Sequence, residues 1–496
     1  MAHSLLRRAG YAVVFNAMGN WIGMVGGMVS LVFIARLLSP MDFGVFGMAL
    51  VTFSIPEIFA SGSLNDSIVQ RRDLAAGHVN SVFMQSLGLA LLFWLGISLL
   101  APAIAAGFSH PELVPILRVF SIVLIIGAAT SVPAALLQRD LRYKEITIVD
   151  VVGTVSAAVI GIWLAVVLRD AWALVWMEIS RRTVRLIMFA WLAKWRPSFK
   201  SSWSETHELT RFNSTNLTTK VVQAFGGAIP RVMIGGVLGP AALGMYNMSG
   251  RLLEQAKSAF VTPFAAVALP VASQAQNDLP MLFRAIEGAM RLAALVAYPI
   301  FIGGCVIAPI AIPVVFGEQW VPAVTTIQVF LLMGLRAPTS AFNTGVLNGV
   351  GRVDLNFKLA IVGTVLTAIA VVSTIHIGLE AIAWALLAQL MFSWILGAYA
   401  VKMAIGFPMH RQIIAGSSAL IASFIMGFIV WFSMGILPHE WTGIVHILVL
   451  VPIGVVTYVA ALAALSPRLA KRIVQALFIL VQGRPAEALA VARGLS

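Results

Sequence analysis

Charge is what this chain has least of. Only 11% of its 496 residues are Asp, Glu, Lys or Arg, against about a quarter in a soluble globular domain, and 60% are apolar; a water-soluble fold is excluded. Cysteine is almost missing too: Cys305, alone in the run IGGCVIAP, cannot close an internal disulfide and reads as packing. There is no Cys/His cluster, no Gly-rich phosphate loop set between a strand and a helix, and no Ser/His/Asp set, so nothing points to a metal centre, a nucleotide fold or a hydrolase. Long polar loops are also lacking in every second gap between the apolar runs, where only a few to about ten residues stand. A membrane glycosyltransferase or polymerase needs catalytic acids in such a loop, so the chain reads as a non-enzyme.

What the chain does have is apolar length. Its mean hydropathy is +0.94, and fourteen apolar runs lie near 13–36, 41–65, 79–106, 113–137, 146–168, 171–193, 211–238, 241–271, 285–312, 323–347, 356–377, 379–401, 412–436 and 443–465. A hydrocarbon core of about 30 Å takes roughly 20 helical residues at ~1.5 Å each. Each run is long enough to span. None shows the alternation of about ten residues that marks a barrel strand, so the expected fold is an all-α integral membrane bundle. Arg7 and Arg8 precede the first run without a small-residue cleavage site, which reads as an uncleaved first helix.

The net charge of +13 and pI near 10.5 would suggest nucleic acid in a soluble protein. Here the placement of the basic residues decides otherwise. The termini and even-numbered gaps hold twenty Lys and Arg, whereas the odd-numbered gaps hold only Arg36 and Arg169. By the positive-inside rule both termini are cytoplasmic, membrane lipids are the surroundings, and no nucleic-acid partner is expected. After Ser466-Pro467 the tail RLAKRIVQALFILVQGR sets Arg468, Lys471 and Arg472 on one face and Leu469, Ile473, Leu477 and Leu480 on another. It reads as an interfacial helix.

The chain repeats itself. Ile34, Leu38, Pro40, Gly44 and Met48 of IARLLSPMDFGVFGMA match Ile234, Leu238, Pro240, Gly244 and Met248 of IGGVLGPAALGMYNMS without a gap. LRVF at 117–120 returns as IQVF at 327–330, VGTV at 152–155 at 362–365, and Trp172-Ala173-Leu174 as Trp384-Ala385-Leu386. Helices one to six therefore correspond to seven to twelve, joined by a polar linker at 194–213. Six is even, so both halves start on one membrane face and a pseudo-twofold along the membrane normal relates them, the parallel-repeat arrangement of secondary transporters. The expected parts are a lobe at 1–200, a lobe at 201–405, two added helices at 406–466 and the tail at 467–496. The segment shared by the halves reads as a hairpin corner, with Pro40 at the start of helix two, Gly44 letting helices one and two approach, and Asp42 on the helix dipole.

Some charges lie where lipid should be. Arg181, Arg182, Arg185, Lys220, Arg231, Arg251, Lys257 and Arg336 fall within predicted spans, against Glu57, Glu178 and Glu254; Arg118, Arg211 and Arg291 read as snorkelling from helix ends. At a cost of at least about 2.5 kcal/mol each at the bilayer centre, eight cations cannot face lipid. An interior with an excess of positive charge attracts an anion, phosphate or pyrophosphate above all. Glu178, Arg181, Arg182 and Arg185 share one helix face, where pairing among themselves is an equal alternative, and Arg251, Glu254 and Lys257 are also spaced to pair locally. Lys220 and Arg231 have no acid nearby in sequence. Pro56, Pro230, Pro263, Pro270 and Pro338 interrupt spans, three of them beside a buried charge.

ARLLSPMDFGVFGMA, VQRRDL at 69–74, LLQRDLRYKEI at 136–146, AWALV at 171–175, IGGVLGPAALGMYNMS, ALPVASQAQND at 268–278 and VVFGEQWVPA at 314–323 together resemble the polysaccharide-transporter (Wzx-like) branch of the multidrug/oligosaccharidyl-lipid/polysaccharide flippases. The resemblance implies a flippase of the bacterial inner membrane that moves undecaprenyl-pyrophosphate-linked oligosaccharide outward by alternating access, for exopolysaccharide or O-antigen synthesis, with polymerase and export machinery as further partners. It implies a cationic cavity lined by the first two helices of each lobe. On that reading Lys220, Arg231, Arg251, Lys257 and Arg336 hold the pyrophosphate, and Glu57 and Glu254 couple transport to a proton or sodium ion, with no other cofactor. One departure is that similar proteins often carry an acidic or amide residue just before the position of Arg231, where this chain has Ile229-Pro230. The alternative in the same fold is a cation-coupled multidrug exporter, which calls for a more acidic interior.

Overall fold

A computed structural model describes residues 23–62, 68, 76–198, 214–265, 278–438 and 441–467. The Arg7/Arg8 segment, most of the 194–213 linker with Arg211, the motifs at 69–74 and 268–277, Pro270 and the interfacial tail lie outside the described residues. Among those described there is helix and no strand. Packing divides the chain into two units, Met1–Asn247 with Thr367–Leu379, and Met248–Leu366 with Glu380–Ser496.

The first unit holds α1 (Gly23–Leu37), α2 (Pro40–Glu57), α3 (Ala76–Gly107), α4 (Leu113–Phe120), α5 (Ile122–Arg139), α6 (Tyr143–Leu168), α7 (Trp172–Ala193), α8 (Ser214–Met233) and the start of α9 (Gly239–Phe260). The second holds the rest of α9, then α10 (Thr262–Ala265), α11 (Leu279–Phe316), α12 (Val324–Met333), α13 (Ala337–Gly349), most of α14 (Val353–Thr374), α15 (Leu379–Ile405), α16 (Met409–Ile414), α17 (Ser417–Ile436) and α18 (Gly443–Leu465). Eleven helical stretches among the described residues are long and apolar enough to cross a membrane. The difference from fourteen runs has local causes. Only 23–37 of the first run is described, α7 carries four charges, and the continuous stretch Thr218–Phe260 joins two runs. That stretch nevertheless turns at Gly239, whose φ of 85° is open to glycine and costly for other residues.

The corner before α2 folds as its sequence dictates. Ser39 caps the helix, its hydroxyl accepting from the Asp42 N–H at 3.3 Å while the Asp42 carboxylate accepts from the Ser39 N–H at 2.9 Å. This capping box satisfies two N-terminal donors, and Pro40 occupies a position with no donor to lose. Gly44 serves a different neighbour from the one expected. A Cβ on Gly44 would overlap the Pro240 carbonyl, and a Cβ on Gly244 would overlap the Pro40 carbonyl. The two copies of the corner are pressed backbone to backbone, each glycine receiving the other's proline. Behind them Phe46, Phe53 and Phe120 meet edge to face, with centroids 5.6 and 5.1 Å apart.

A stripe of small residues on α6 brings α7 close. Gly153, Ala157, Gly161 and Ala165 recur every four residues and are buried, the spacing that lets membrane helices approach. Gly153 lies under the Arg185 stem and Gly161 under Met177. In the second unit α11 is the central helix. Gly427 of α17 seats on Ile302, Gly443 of α18 seats on Val314, and the Tyr458 hydroxyl donates to the Leu295 carbonyl at 2.7 Å.

Replacing Gly44 or Gly244 with leucine forces the paired corners apart. Each variant is expected to lose about 1–3 kcal/mol or more of stability, read as a lower thermal midpoint in detergent, whereas Gly88→Leu, with open space at its Cβ, should stay near wild type.

Candidate functional site

The densest set of charges within a predicted span belongs to the first unit. On α7, Glu178, Arg181, Arg182 and Arg185 fall at i, i+3, i+4 and i+7 and share a face. Glu178 is buried and takes both of its neighbours: Arg181 donates through Nε at 2.8 Å and Nη2 at 2.6 Å, and Arg182 through Nε at 2.7 Å. Arg182 then reaches across to α2, donating from Nη1 and Nη2 to the two Glu57 oxygens at 2.5 and 3.2 Å. Arg185 finds its acid on α6, 3.1 Å from Asp150 Oδ1, and its ring partner Phe189 lies 5.7 Å below the guanidinium.

Three cations and three carboxylates thus form a neutral cluster fastening α2, α6 and α7. Neutrality is what makes it tolerable, since an unmatched charge at this depth carries the full cost of desolvation. Glu57 is half-exposed, at 38% of its side chain, but its carboxylate is already claimed by Arg182. A coupling role requires that pair to open. The main chain at this point is irregular: Pro56 lies in the last turn of α2 and a π-helical turn follows at Ile58–Gly62, a feature associated with functional bends.

Lys220 and Arg231 are eleven residues apart on α8, about 16 Å and close to three full turns, so they share one face. Lys220 is half-buried and Arg231 exposed. Arg231, next to Pro230, lies within electrostatic reach of Tyr246 and has no ion-pair partner among the described residues. A second π-helical turn, Ile234–Leu238, follows α8.

In the second unit Lys257 is paired with Glu254 one turn away, Nζ to Oε1 at 2.7 Å, and Arg251 is half-buried on the same helix. Arg336 ends a short 3-10 turn before Pro338, donates to the Ser340 hydroxyl at 3.3 Å and feels the charge of Glu254. Glu254 thus serves two cations, Lys257 by contact and Arg336 through the field.

The sequence-based balance of eight cations against three acids needs correction. Asp150 is a fourth acid, and the expected self-pairing of α7 holds for Arg181 and Arg182 while Arg185 looks outward to α6. Arg291, expected to snorkel, is instead bound to Glu287 Oε1 at 2.5 Å, and Arg411 binds the other oxygen of the same carboxylate at 2.5 and 3.0 Å. The Glu287–Arg291 half was readable from its i, i+4 spacing. The Arg411 half, 124 residues away, was not. Among the described residues no group of His, Cys, Asp and Glu could hold a metal ion.

Comparison with known proteins gives this arrangement a family. The model of the polysaccharide biosynthesis protein family matches residues 33–325, more than half of the chain. The chain belongs to that family. The succinoglycan biosynthesis transport protein ExoT of Rhizobium meliloti is 25% identical over 411 residues, covering 82% of both chains. Among solved structures the lipid II flippase MurJ in an inward closed conformation superposes with a TM-score of 0.75 at 13% identity, covering 92% of this chain and 99% of that one. A multidrug resistance MATE family transporter, inward-facing, superposes at 0.61 and 14%, covering 79% and 98%. At such identities these likenesses concern fold alone. The polysaccharide-transporter family, in its Wzx-like branch of the MOP superfamily, is the one the motifs resemble, and the chain is a multi-pass membrane protein.

Arg182 is the cation whose loss the cluster tolerates least, because it holds two carboxylates. Arg182→Met is expected to destabilise by about 3 kcal/mol, and adding Glu57→Gln should restore a good part of it. Thermal unfolding of the single and double variants in detergent measures the coupling.

Proposed function

We propose that this chain is a flippase that carries undecaprenyl-pyrophosphate-linked oligosaccharide from the cytoplasmic to the periplasmic leaflet of the bacterial inner membrane by alternating access, for exopolysaccharide or O-antigen synthesis. The observation that carries this reading is Arg231, a cation within an apolar helix of a polysaccharide biosynthesis protein and without an ion pair among the described residues. An unmatched guanidinium at that depth is stable when it faces water or an anionic cargo, and a pyrophosphate offers the oxygens that a guanidinium fork fits. Lys220 on the same face of α8, Arg251 and Lys257 on α9, and Arg336 are the other cations assigned to the cargo.

On this reading the chain is a transporter with no catalytic residue. It has fourteen membrane helices, as lobes at 1–200 and 201–405 related by a pseudo-twofold with two helices added, and both termini are cytoplasmic. The reciprocal fit of Gly44 with Pro240 and Gly244 with Pro40 supports that symmetry, since a twofold axis is the simplest operation that exchanges the two contacts. Glu57 and Glu254 are the carboxylates assigned to a coupling proton or sodium ion. Both already hold a cation, so cargo binding to Lys257 or a shift of Arg182 would free a carboxylate to take another ion. Polymerase and export machinery act on the product. The likeness in fold to MATE transporters supports a second reading, a cation-coupled drug exporter, but among the described residues each of the three carboxylates in the α2, α6 and α7 cluster already has an arginine partner.

The test is complementation. In the parent bacterium lacking its own copy, Arg231→Gln should lower surface polysaccharide at least tenfold while the protein stays in the membrane at wild-type level; normal export would remove Arg231 from the site. Raised drug resistance on expression in a drug-sensitive host, with polysaccharide unaffected by deletion, would favour the second reading.

A further inference from the structure

A second cationic feature, made of residues not assigned to the cargo, lies at one end of the second unit. Glu287 on α11 is buried, its side chain 11% exposed, and each of its two oxygens is taken by a different guanidinium, Arg291 on the same helix and Arg411 on α16. One carboxylate needs one counter-ion. The second arginine leaves the group with a net positive charge.

The two guanidiniums are also only partly used. Arg291 donates to Glu287 through Nη2 alone, and Arg411 through Nε and Nη2. Nε and Nη1 of Arg291 and Nη1 of Arg411 have no protein acceptor among the described residues, although the two side chains are 42% and 39% exposed. Both arginines are fixed in place: the shared carboxylate holds them from below, and Arg411 rests over Phe407, 5.7 Å from its centroid, which itself stacks on Phe283 at 4.8 Å. Two immobilised forks with spare donors are the arrangement that phosphate oxygens recognise.

The surroundings point to a phosphate that carries acyl chains. One core cluster gathers Leu282, Ile286, Phe342, Leu355, Ile405 and Phe407, which places the start of α11, the end of α13, the start of α14 and the α15–α16 corner at the same end of the unit. Arg284 and Lys402 belong to those segments, as do Arg352, which is paired with Asp354, and the capping residue Asp278; the basic residues outnumber the acids, which makes this the headgroup side of the cytoplasmic leaflet. The same segments expose apolar side chains: Met281 at 55%, Met403 at 58% and Ile414 at 58%. A soluble anion has no use for these. A lipid has.

We propose that Arg291 and Arg411, held by Glu287, form a binding site for the phosphodiester headgroup of an anionic phospholipid. The proposal is independent of the flippase reading, since neither arginine is assigned to the cargo. The triad contains its own control, because removing either arginine leaves Glu287 paired with the other, so the fold survives the single change. The full chain, purified in detergent and offered phosphatidylglycerol or phosphatidylcholine, is weighed intact by native mass spectrometry to count retained lipid. Wild type should retain phosphatidylglycerol at least fivefold over phosphatidylcholine. Arg291→Gln and Arg411→Gln should each lose that preference with the lipid-free thermal midpoint little changed; if Arg411→Gln is unstable, Arg291→Gln alone decides. Retention of the preference in Arg291→Gln would overturn the proposal. So would displacement of the lipid by millimolar inorganic phosphate, which would make this a soluble-anion site, or by stoichiometric farnesyl pyrophosphate, which would assign it to the cargo.

Discussion

A charge inside hydrocarbon must be matched or wet, and that constraint organises everything this chain does. Its first unit spends three carboxylates on three arginines and so creates a neutral knot across α2, α6 and α7. One member of the small-residue stripe of α6 serves that pairing too, since Gly153 leaves room for the stem of Arg185, whose guanidinium meets Asp150. Where matching stops among the described residues, as at Arg231, an apolar helix is left with a donor fork and an obligation to face something polar. Structure and proposed cargo meet at that residue.

What could be read from sequence was whatever depends on neighbours a few residues away or on bulk length. The helical class followed from apolar runs longer than any buried core needs. The start of α2 followed from Ser39, Pro40 and Asp42, because capping is local. The turn at Gly239 followed from the repeat of the Ser39-Pro40 corner. The pairing of Glu178 with Arg181 and Arg182 was available from helical spacing. What stayed hidden was non-local. Nothing near Arg185 in sequence announces Asp150, and nothing near Glu287 announces Arg411, because those contacts depend on which helices lie side by side. Gly44 is the clearest case: a small residue was correctly seen to mark a close approach, yet its neighbour is Pro240 rather than the helix it is joined to.

The two glutamates assigned to coupling illustrate a further gap between composition and state. Counting residues treats Glu57 and Glu254 as equivalent. Their surroundings are not. Glu57 is clasped through both oxygens by an arginine that also holds a buried carboxylate, whereas Glu254 is exposed and shared between a lysine in contact and a distant arginine. The Glu254 carboxylate is the more open of the two.

The abutting corners also bear on how such a chain can drift. Each glycine is the receptor for a carbonyl supplied by the opposite copy, so neither copy can enlarge its glycine or lose its proline turn without harming its twin. Residues 34–48 and 234–248, which match without a gap in the sequence, are thereby tied to one another: a bulkier side chain at either glycine has to be answered by a retreat of the opposite proline turn.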